Sequence, residues 1–318
     1  MESLPDILQY LVAGLATGSI YAIVAVGFTI IFSSTEVVNF AQGEFVMLGA
    51  MFSYLLTSWN WNRPEFAGLQ WPLYLAVPAA AVLAALVGIG LGWVLMRPLK
   101  ITSAVSLIII TVGASMLLQG AASLLWGKDP VAAKPFTEGV LIVNLPRALT
   151  AGKEAYPVVI EWQQVWVMGL TLAMVLALTL FFNRTLVGKA MRAVSVNRHG
   201  ARLMGINVSR MVIGAFALSA LMGALAGAAI APISCGYYNM GAMMGLKGFA
   251  AAIVGGLGNF PGSVAAGLLL GVGESFAVSV KKISDYKDAV AFVILLVVLV
   301  VSPNGLFALL RRRGKGVV

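Results

Sequence analysis

The sequence predicts an all-α fold, a polytopic transmembrane bundle of about eight or nine spans, and three observations carry that prediction. Of its 318 residues, 60% are hydrophobic and 10% charged, with a mean hydropathy of +0.95, whereas soluble domains run at roughly 45–50% and ~25%. Apolar runs long enough to cross a hydrocarbon layer of about 30 Å, which takes ~20 helical residues, recur along the chain. Glycine supplies 35 of the 318 residues against a usual ~7%, and in lipid small residues let helix backbones approach closely. No linker or low-complexity stretch divides residues 1–318, which read as one membrane domain.

The apolar runs fall at residues 7–32, 37–57, 73–96, 104–126, 164–182, 211–233, 248–280 and 289–310. Helix is the expected form because lipid offers the backbone no hydrogen-bond partner. Glu2 and Asp6 stand where a secretory signal carries Lys or Arg, so the first run is expected to remain as a span. As one helix, the run 248–280 would measure about 50 Å at 1.5 Å per residue. Its middle reads GGLGNFPG (255–262), a cluster of turn formers. Two segments meeting at that break, the first short or re-entrant, are therefore expected in preference to one kinked helix. VNFAQG (38–43) and GNFPG (258–262) share an Asn-Phe followed by glycine, a pattern consistent with an internal repeat.

Charge sets the orientation. The loop 183–210 holds Arg184, Lys189, Arg192, Arg198, Arg202 and Arg210 and no acid, whereas 127–163 balances Lys128, Lys134, Arg147 and Lys153 against Asp129, Glu138, Glu154 and Glu161. The basic loop is assigned to the cytoplasm and the balanced one to the outside. Arg97, Lys100 and the tail Arg311–Arg312–Arg313 agree, provided that the break at 255–262 reverses the chain. The formal charge of +9 thus belongs to the positive-inside bias and to anionic lipid headgroups, and no nucleic-acid partner is expected. Cys235 and His199 are the only residues of their types, which excludes intrachain disulfides, Cys/His metal clusters and a His-based triad. No metal site is expected, and His199 is read as a solvated loop residue. An integral-membrane enzyme would lack a nucleophile, base or metal constellation.

Two stretches stand out chemically. In the second run, STEVVNFAQGEFVMLGAM (34–51) buries polar groups in an apolar context. A carboxylate at mid-span costs about 2.5–3.5 kcal/mol on insertion scales, so Glu44, with Asn39 and Gln42, is expected to face the bundle interior or a water-filled path. Asn39, Gly43 and Met47 fall at helical spacing on one face, which is expected to border a translocation route. Alternatively, Glu36 and Asn39 cap the second helix while Glu44 pairs with a structural partner. Thr17 and Tyr21 are further path candidates; Glu274 is a second buried-acid candidate, with snorkelling toward the interface the favoured alternative; and Lys281, Lys282, Lys287 and Asp288 are read as solvated charges in preference to contacts for a binding protein. In the basic loop, Asn197 reads as an N-cap, Gly205 as a helix stop, and Ala201, Leu203 and Met204 as a small apolar knob for a soluble partner's groove; alternatively the loop simply lies on anionic lipid headgroups.

The spacing of Asn197, Ala201, Gly205 and Ile206 resembles the coupling loop of ABC importer permeases. The stretches GLATGSIYAIVAVGFTIIFSSTEVVNFAQGEFVMLGA (14–50), GFAAAIVGGLGNFPGSVAAGLLLGVGE (248–274) and DYKDAVAFVILLVVLVVSPNGLF (285–307) resemble permeases of the LivH type from high-affinity branched-chain amino acid importers. That resemblance covers nearly the whole chain, with NFAQGE as its most specific marker; the external stretch 130–162 is longer than the family pattern. It implies a bacterial inner-membrane subunit that pairs with a LivM-like permease, receives its substrate from a periplasmic binding protein and is driven by two cytoplasmic ATPase subunits. ATP and magnesium would be used by those partners, with no cofactor on this chain. In agreement, the sequence contains no G-x-x-x-x-G-K-[ST] loop, since Ala190 follows Gly188–Lys189. A urea or short-amide importer shares the same markers. An ATP-independent secondary transporter, with Glu44 as proton carrier, is the reading from a different class.

Overall fold

The computed structural model describes residues 4–57, 70–96, 104–143, 157–279, 287–302 and 305–306. Eleven helices and one short hairpin are present among them. The long helices are α1 (Leu4–Thr35), α3 (Leu73–Met96), α4 (Ala104–Trp126), α5 (Trp162–Arg184), α8 (Val208–Ser234) and α10 (Phe260–Ser279), and all six are long and apolar enough to cross a membrane. Shorter ones are α2 (Gln42–Thr57), α6 (Leu186–Val196), α7 (Arg198–Leu203), α9 (Met240–Gly255) and α11 (Lys287–Val301). Within the otherwise helical fold, the segment between α4 and α5 carries one short hairpin: β1 (Val140–Val143) pairs antiparallel with β2 (Val158–Glu161), with Val140 opposite Glu161.

α1 is the central mast. Most of its length is buried, and residues 20–26 are closed off on every side. α10 runs antiparallel along it: the Ser275 hydroxyl donates to the Tyr10 carbonyl (2.7 Å) near one end, and the Thr29 and Ser263 hydroxyls bond at 2.8 Å near the other. Glycine makes this approach possible. A Cβ on Gly14 would sit 2.7 Å from the Val272 Cα, one on Gly18 would sit 2.9 Å from the Leu268 Cα, and one on Gly271 would strike the Gly18 backbone. Without a hydrophobic force between helices in lipid, this backbone-to-backbone fit and its hydroxyl bonds supply the association.

The break in the run 248–280 is real. α9 ends at Gly255, Gly256 and Gly258 adopt φ of 86° and 88°, and α10 begins at Phe260. Left-handed backbone at both positions is accessible to glycine without steric cost. The two helices fold back as a hairpin, closed where Gly255 meets Gly262 and Ser263. α9 begins at Met240, eight residues before the apolar run suggested, because Met240–Leu246 are as apolar as the residues from Gly248 onward, with only Lys247 between them.

The second run also differs from expectation. α1 ends where Glu36 turns to φ 56°, and the chain returns through non-helical residues to start α2 only at Gln42. Asn39 therefore lies ahead of the helix and does not share a helical face with Gly43 and Met47. Its side chain instead closes a turn, accepting from the Ala41 N–H at 3.1 Å. Helix α2 is enclosed by α8, α9 and α3 and is buried at all but three of its residues. By contrast α4, α3 and α11 turn Ile109, Met116, Leu117, Leu86, Trp93 and Val300 outward, as spans facing hydrocarbon or another subunit do.

Replacing Gly18 by Leu should separate α1 from α10. Overpacking of this kind costs about 1–3 kcal/mol, so the midpoint of unfolding in mixed micelles should fall, whereas Gly113→Leu on the open face of α4, where nothing lies within 4 Å, should leave it unchanged.

Candidate functional site

Three polar arrangements stand out among the described residues of the bundle. The first is the basic elbow between α5 and α8. The Thr185 side chain accepts from the Gly188 N–H (2.9 Å) and starts α6, and the Asn197 side chain accepts from the Gly200 N–H (2.8 Å) and starts α7. Gly205, at φ 82°, stops it. Ala201 is turned inward among Val194, Val208 and Val212, so it anchors the elbow and is not part of the exposed knob. Leu203 and Met204 are 76% and 83% exposed at the tip. The elbow's root is tied to the bundle: Arg198 Nη2 donates to the Ser34 carbonyl at 2.5 Å. Arg198, Arg202, Thr35, Asn39 and Thr111 line a cavity of about 140 Å³ directly beneath the start of α2.

The second arrangement surrounds that start. The Phe40 N–H donates to Thr111 Oγ1 of α4 (3.2 Å), and the Gln42 Oε1 accepts from Ser219 of α8 (2.5 Å). Glu44 Oε1 accepts from Ser115 (2.8 Å) and Gln119 (2.7 Å), one turn apart on α4. Glu44 is fully buried, yet its Oε2 and the Asn39 Nδ2 have no hydrogen-bond partner among the described residues. Gly43 crosses α9 at Gly241 and Gly245, so closely that any side chain there would strike backbone. Irregular backbone at membrane depth is tolerated where it is enclosed by protein or lines a cavity, and residues 36–41 meet that condition.

The third arrangement is a buried charge cluster. Lys247 of α9 lies 2.6 Å from Glu274 Oε1 of α10 and 2.6 Å from Asp288 Oδ1 of α11. Its ammonium also donates to the Tyr21 hydroxyl of α1 (3.0 Å), which in turn donates to Glu274 Oε2 (2.8 Å). Four helices thus converge on one cation. Its ammonium has a separate acceptor for each of its three donor hydrogens, the condition under which a charge persists inside a bundle. The cluster borders a cavity of about 430 Å³ that also touches Thr17.

The family model for the permease component of branched-chain amino acid transport systems matches residues 10–299. The LivH permease of Salmonella typhimurium is 32% identical over 94% of this chain and 94% of its own length, and the BraD permease of Pseudomonas aeruginosa is 32% identical over 96% and 97%. The chain belongs to this permease family. More distant relatives carry another cargo in their names: the ribose import permease RbsC of Haemophilus influenzae is 22% identical over 90% of this chain and 82% of its own. The protein is a multi-pass inner-membrane permease subunit of an ABC importer.

The structure sorts the permease's sequence candidates. Asn39, Gln42, Gly43 and Glu44 come together between α2, α4, α8 and α9, while Tyr21 belongs to the charge cluster on the other side of α9 and Thr17 lines the cavity beside it. Thr17 spends its hydroxyl on the Ala13 carbonyl (3.0 Å). Glu274 does not snorkel: it is buried and bound to Lys247 and Tyr21. Asp288 is an ion-pair member and not a free-standing solvated charge; Lys281, Lys282 and the Lys287 side chain lie outside the described residues. Glu36 ends α1 and does not cap α2. The sequence reading missed Lys247, Ser115, Gln119 and Ser219. Lys247 is the one charge in the otherwise apolar stretch 240–255, and Ser115 and Gln119 sit at i, i+4 within a span; both are signals that a search for polar residues inside apolar runs would find.

Lys247→Met should destabilise the permease by about 3–5 kcal/mol, because Glu274 is left as an uncompensated buried charge. Adding Glu274→Leu should restore much of the loss, a coupling readable from a double-mutant cycle of unfolding midpoints in micelles.

Proposed function

We propose that this subunit forms half of the translocation path for amino acids with apolar side chains, leucine, isoleucine and valine, and that a related second permease completes it. Two cytoplasmic ATPase subunits grip the elbow 183–210 and hydrolyse ATP with magnesium, this chain binding neither. A periplasmic binding protein delivers the substrate and supplies most of the affinity. The family supports the substrate class, through what its LivH and BraD members are named for.

One observation carries the mechanical part. The exposed Leu203–Met204 tip stands on a short capped helix whose first residue, Arg198, holds the end of α1 through the Ser34 carbonyl. Displacing the tip moves Arg198 against the 36–41 stretch, which leads without a further helix into Gln42, Gly43 and Glu44. A push from an ATPase groove therefore has a path of a few residues to the polar pocket. Ser115, Phe40, Leu246 and Phe249 line a groove of about 160 Å³ beside Glu44, between α4 and α9, and this groove is the face offered to the second permease. Substrate passes along it over small residues and a few polar contacts, weak enough for release.

Reconstitution with candidate ATPases, a second permease and a binding protein tests the reading. ATP-dependent uptake of leucine, isoleucine or valine is expected, whereas uptake of urea alone, or uptake driven by a proton gradient without the ATPases, would overturn it. Leu203→Asp combined with Met204→Asp should leave the subunit inserted while abolishing substrate-stimulated ATP hydrolysis, since charge is forced into an apolar groove. Glu44→Gln should preserve assembly, because the amide still accepts from Ser115 or Gln119, yet reduce uptake about tenfold or more as the carboxylate is lost from the path. Unchanged uptake by that variant would remove Glu44 from the route.

A further inference from the structure

We propose that the cavity between the elbow and the start of α2 binds a phosphate group, held by the Arg198 and Arg202 guanidiniums and the Asn39 amide. The site stands apart from the transport reading above and does not depend on which cargo the permease carries.

The cavity takes its lining from α1, α3, α4, α8, the 37–39 stretch and the elbow, and its polar chemistry is one-sided. Asn39 is 1% exposed, and its Oδ1 is committed to the Ala41 N–H (3.1 Å), a bond that fixes which end of the amide is the oxygen. The Nδ2 is left as a donor with no acceptor among the described residues. Arg198 spends Nη2 on the Ser34 carbonyl, while its buried Nε also lacks an acceptor among them. Arg202 is exposed and in no salt bridge, those among the described residues belonging to Lys247. Thr35 and Thr111 add no free donor, since their hydroxyls already donate to the Ile31 and Ile108 carbonyls (both 2.8 Å). No acid lines the cavity among the described residues, and Glu36, the nearest in sequence, is exposed outside it.

Two buried N–H groups without acceptors, beside two guanidiniums that never lose their charge, match a ligand that is negative and rich in acceptor oxygens. Phosphate is such a group, and the planar guanidinium fork suits its paired oxygens. Size narrows the choice further. At about 30 Å³ per water, a cavity of about 140 Å³ has the volume of roughly four or five waters, room for a phosphate group but well below the roughly 300–1,000 Å³ of sites that enclose a larger ligand. Two sources of the group are open. The loop charges assign the elbow to the cytoplasmic side, where the leaflet is anionic, and the cavity reaches Leu95 and Leu107 in the terminal turns of α3 and α4, so an anionic lipid can present its headgroup there; free phosphate can enter from the water. Either way one ligand would join the elbow, through Arg198 and Arg202, to the turn that leads into α2, through Asn39.

The full chain in maltoside micelles, which contain no phosphate, tests the site without transport. One arm follows the phosphorus NMR line of inorganic phosphate as protein is added, and the other counts phosphatidylglycerol retained by the protein in native mass spectrometry. Binding in at least one arm is expected, and it should fall about tenfold or more in Arg202→Gln and in Asn39→Asp, which keeps the acceptor for the Ala41 N–H but puts negative charge in place of Nδ2. Lys189→Gln removes the same charge from an exposed elbow position that does not line the cavity, and it should bind as wild type does. Retained phosphatidylglycerol without broadening of the phosphate line identifies a lipid headgroup; broadening that sulfate reverses, without retained lipid, identifies a free oxyanion; both together identify a site open to either. Absence of both, binding by Arg202→Gln or Asn39→Asp equal to wild type, or equal losses in Lys189→Gln and Arg202→Gln would overturn the site. Because Arg202 is exposed, its variant and the Lys189 control stand even if Asn39→Asp fails to fold.

Discussion

Everything in this bundle depends on how closely α1 is held by α10 and α9. Gly14 and Gly18 meet Gly267, Leu268, Gly271 and Val272 along one seam, and Gly248 rests on Val24. With helix axes this near, Tyr21 reaches Glu274 and Lys247 reaches both. At ordinary separation those groups would face unpaired into an apolar interior, where each isolated charge costs several kcal/mol. Small residues therefore do two things at once: they supply the contact area that holds helices together in lipid, and they set the distances at which a lysine can exist there.

The fold was largely legible because lipid leaves the backbone few options. Long apolar runs had to be helices, and the glycines and Pro261 of 255–262 had to interrupt one that was too long. The elbow was legible for a different reason: Asn197 and Gly205 are local signals whose meaning depends on their immediate neighbours. What escaped were features decided by tertiary contact. Glu274 looked like a snorkelling end residue because its partner sits 27 positions earlier on another helix. Asn39 looked helical because spacing cannot reveal that Glu36 adopts a left-handed conformation, a conformation uncommon outside glycine, asparagine and aspartate. Ala201 looked like part of an exposed knob because helical periodicity over six residues does not show which side faces α8.

The two buried acids solve the same problem differently, and the difference matters for function. Glu274 is neutralised by a cation and a phenol. Glu44 is met by a hydroxyl and an amide on one oxygen, and its other oxygen has no partner among the described residues. A fully paired acid stabilises one arrangement of helices. An under-satisfied one, near the Asn39 Nδ2, which also has no partner among the described residues, and irregular backbone, marks a place where the structure holds polar capacity in reserve. The reserve lies next to the elbow, and the paired cluster lies toward the other end of α1.

Helix α1 touches both ends. Tyr21 belongs to the charge cluster, and the Ser34 carbonyl receives Arg198 of the elbow. Thirteen positions separate them along one continuous helix, about 20 Å at 1.5 Å per residue. No glycine falls between them except Gly27, and that glycine is wedged against the Gln42 amide and Ser219. A rotation of α1 imposed at Ser34 would thus be felt in order by Gln42 at the polar pocket and by Lys247 at the charge cluster. Demonstrated coupling requires an element with two arrangements that both sites bias; α1 is the element whose contacts place it in that position, because it is the only described helix that bonds to the elbow, to the 42–44 pocket through Gly27 and Ser219, and to the charge cluster.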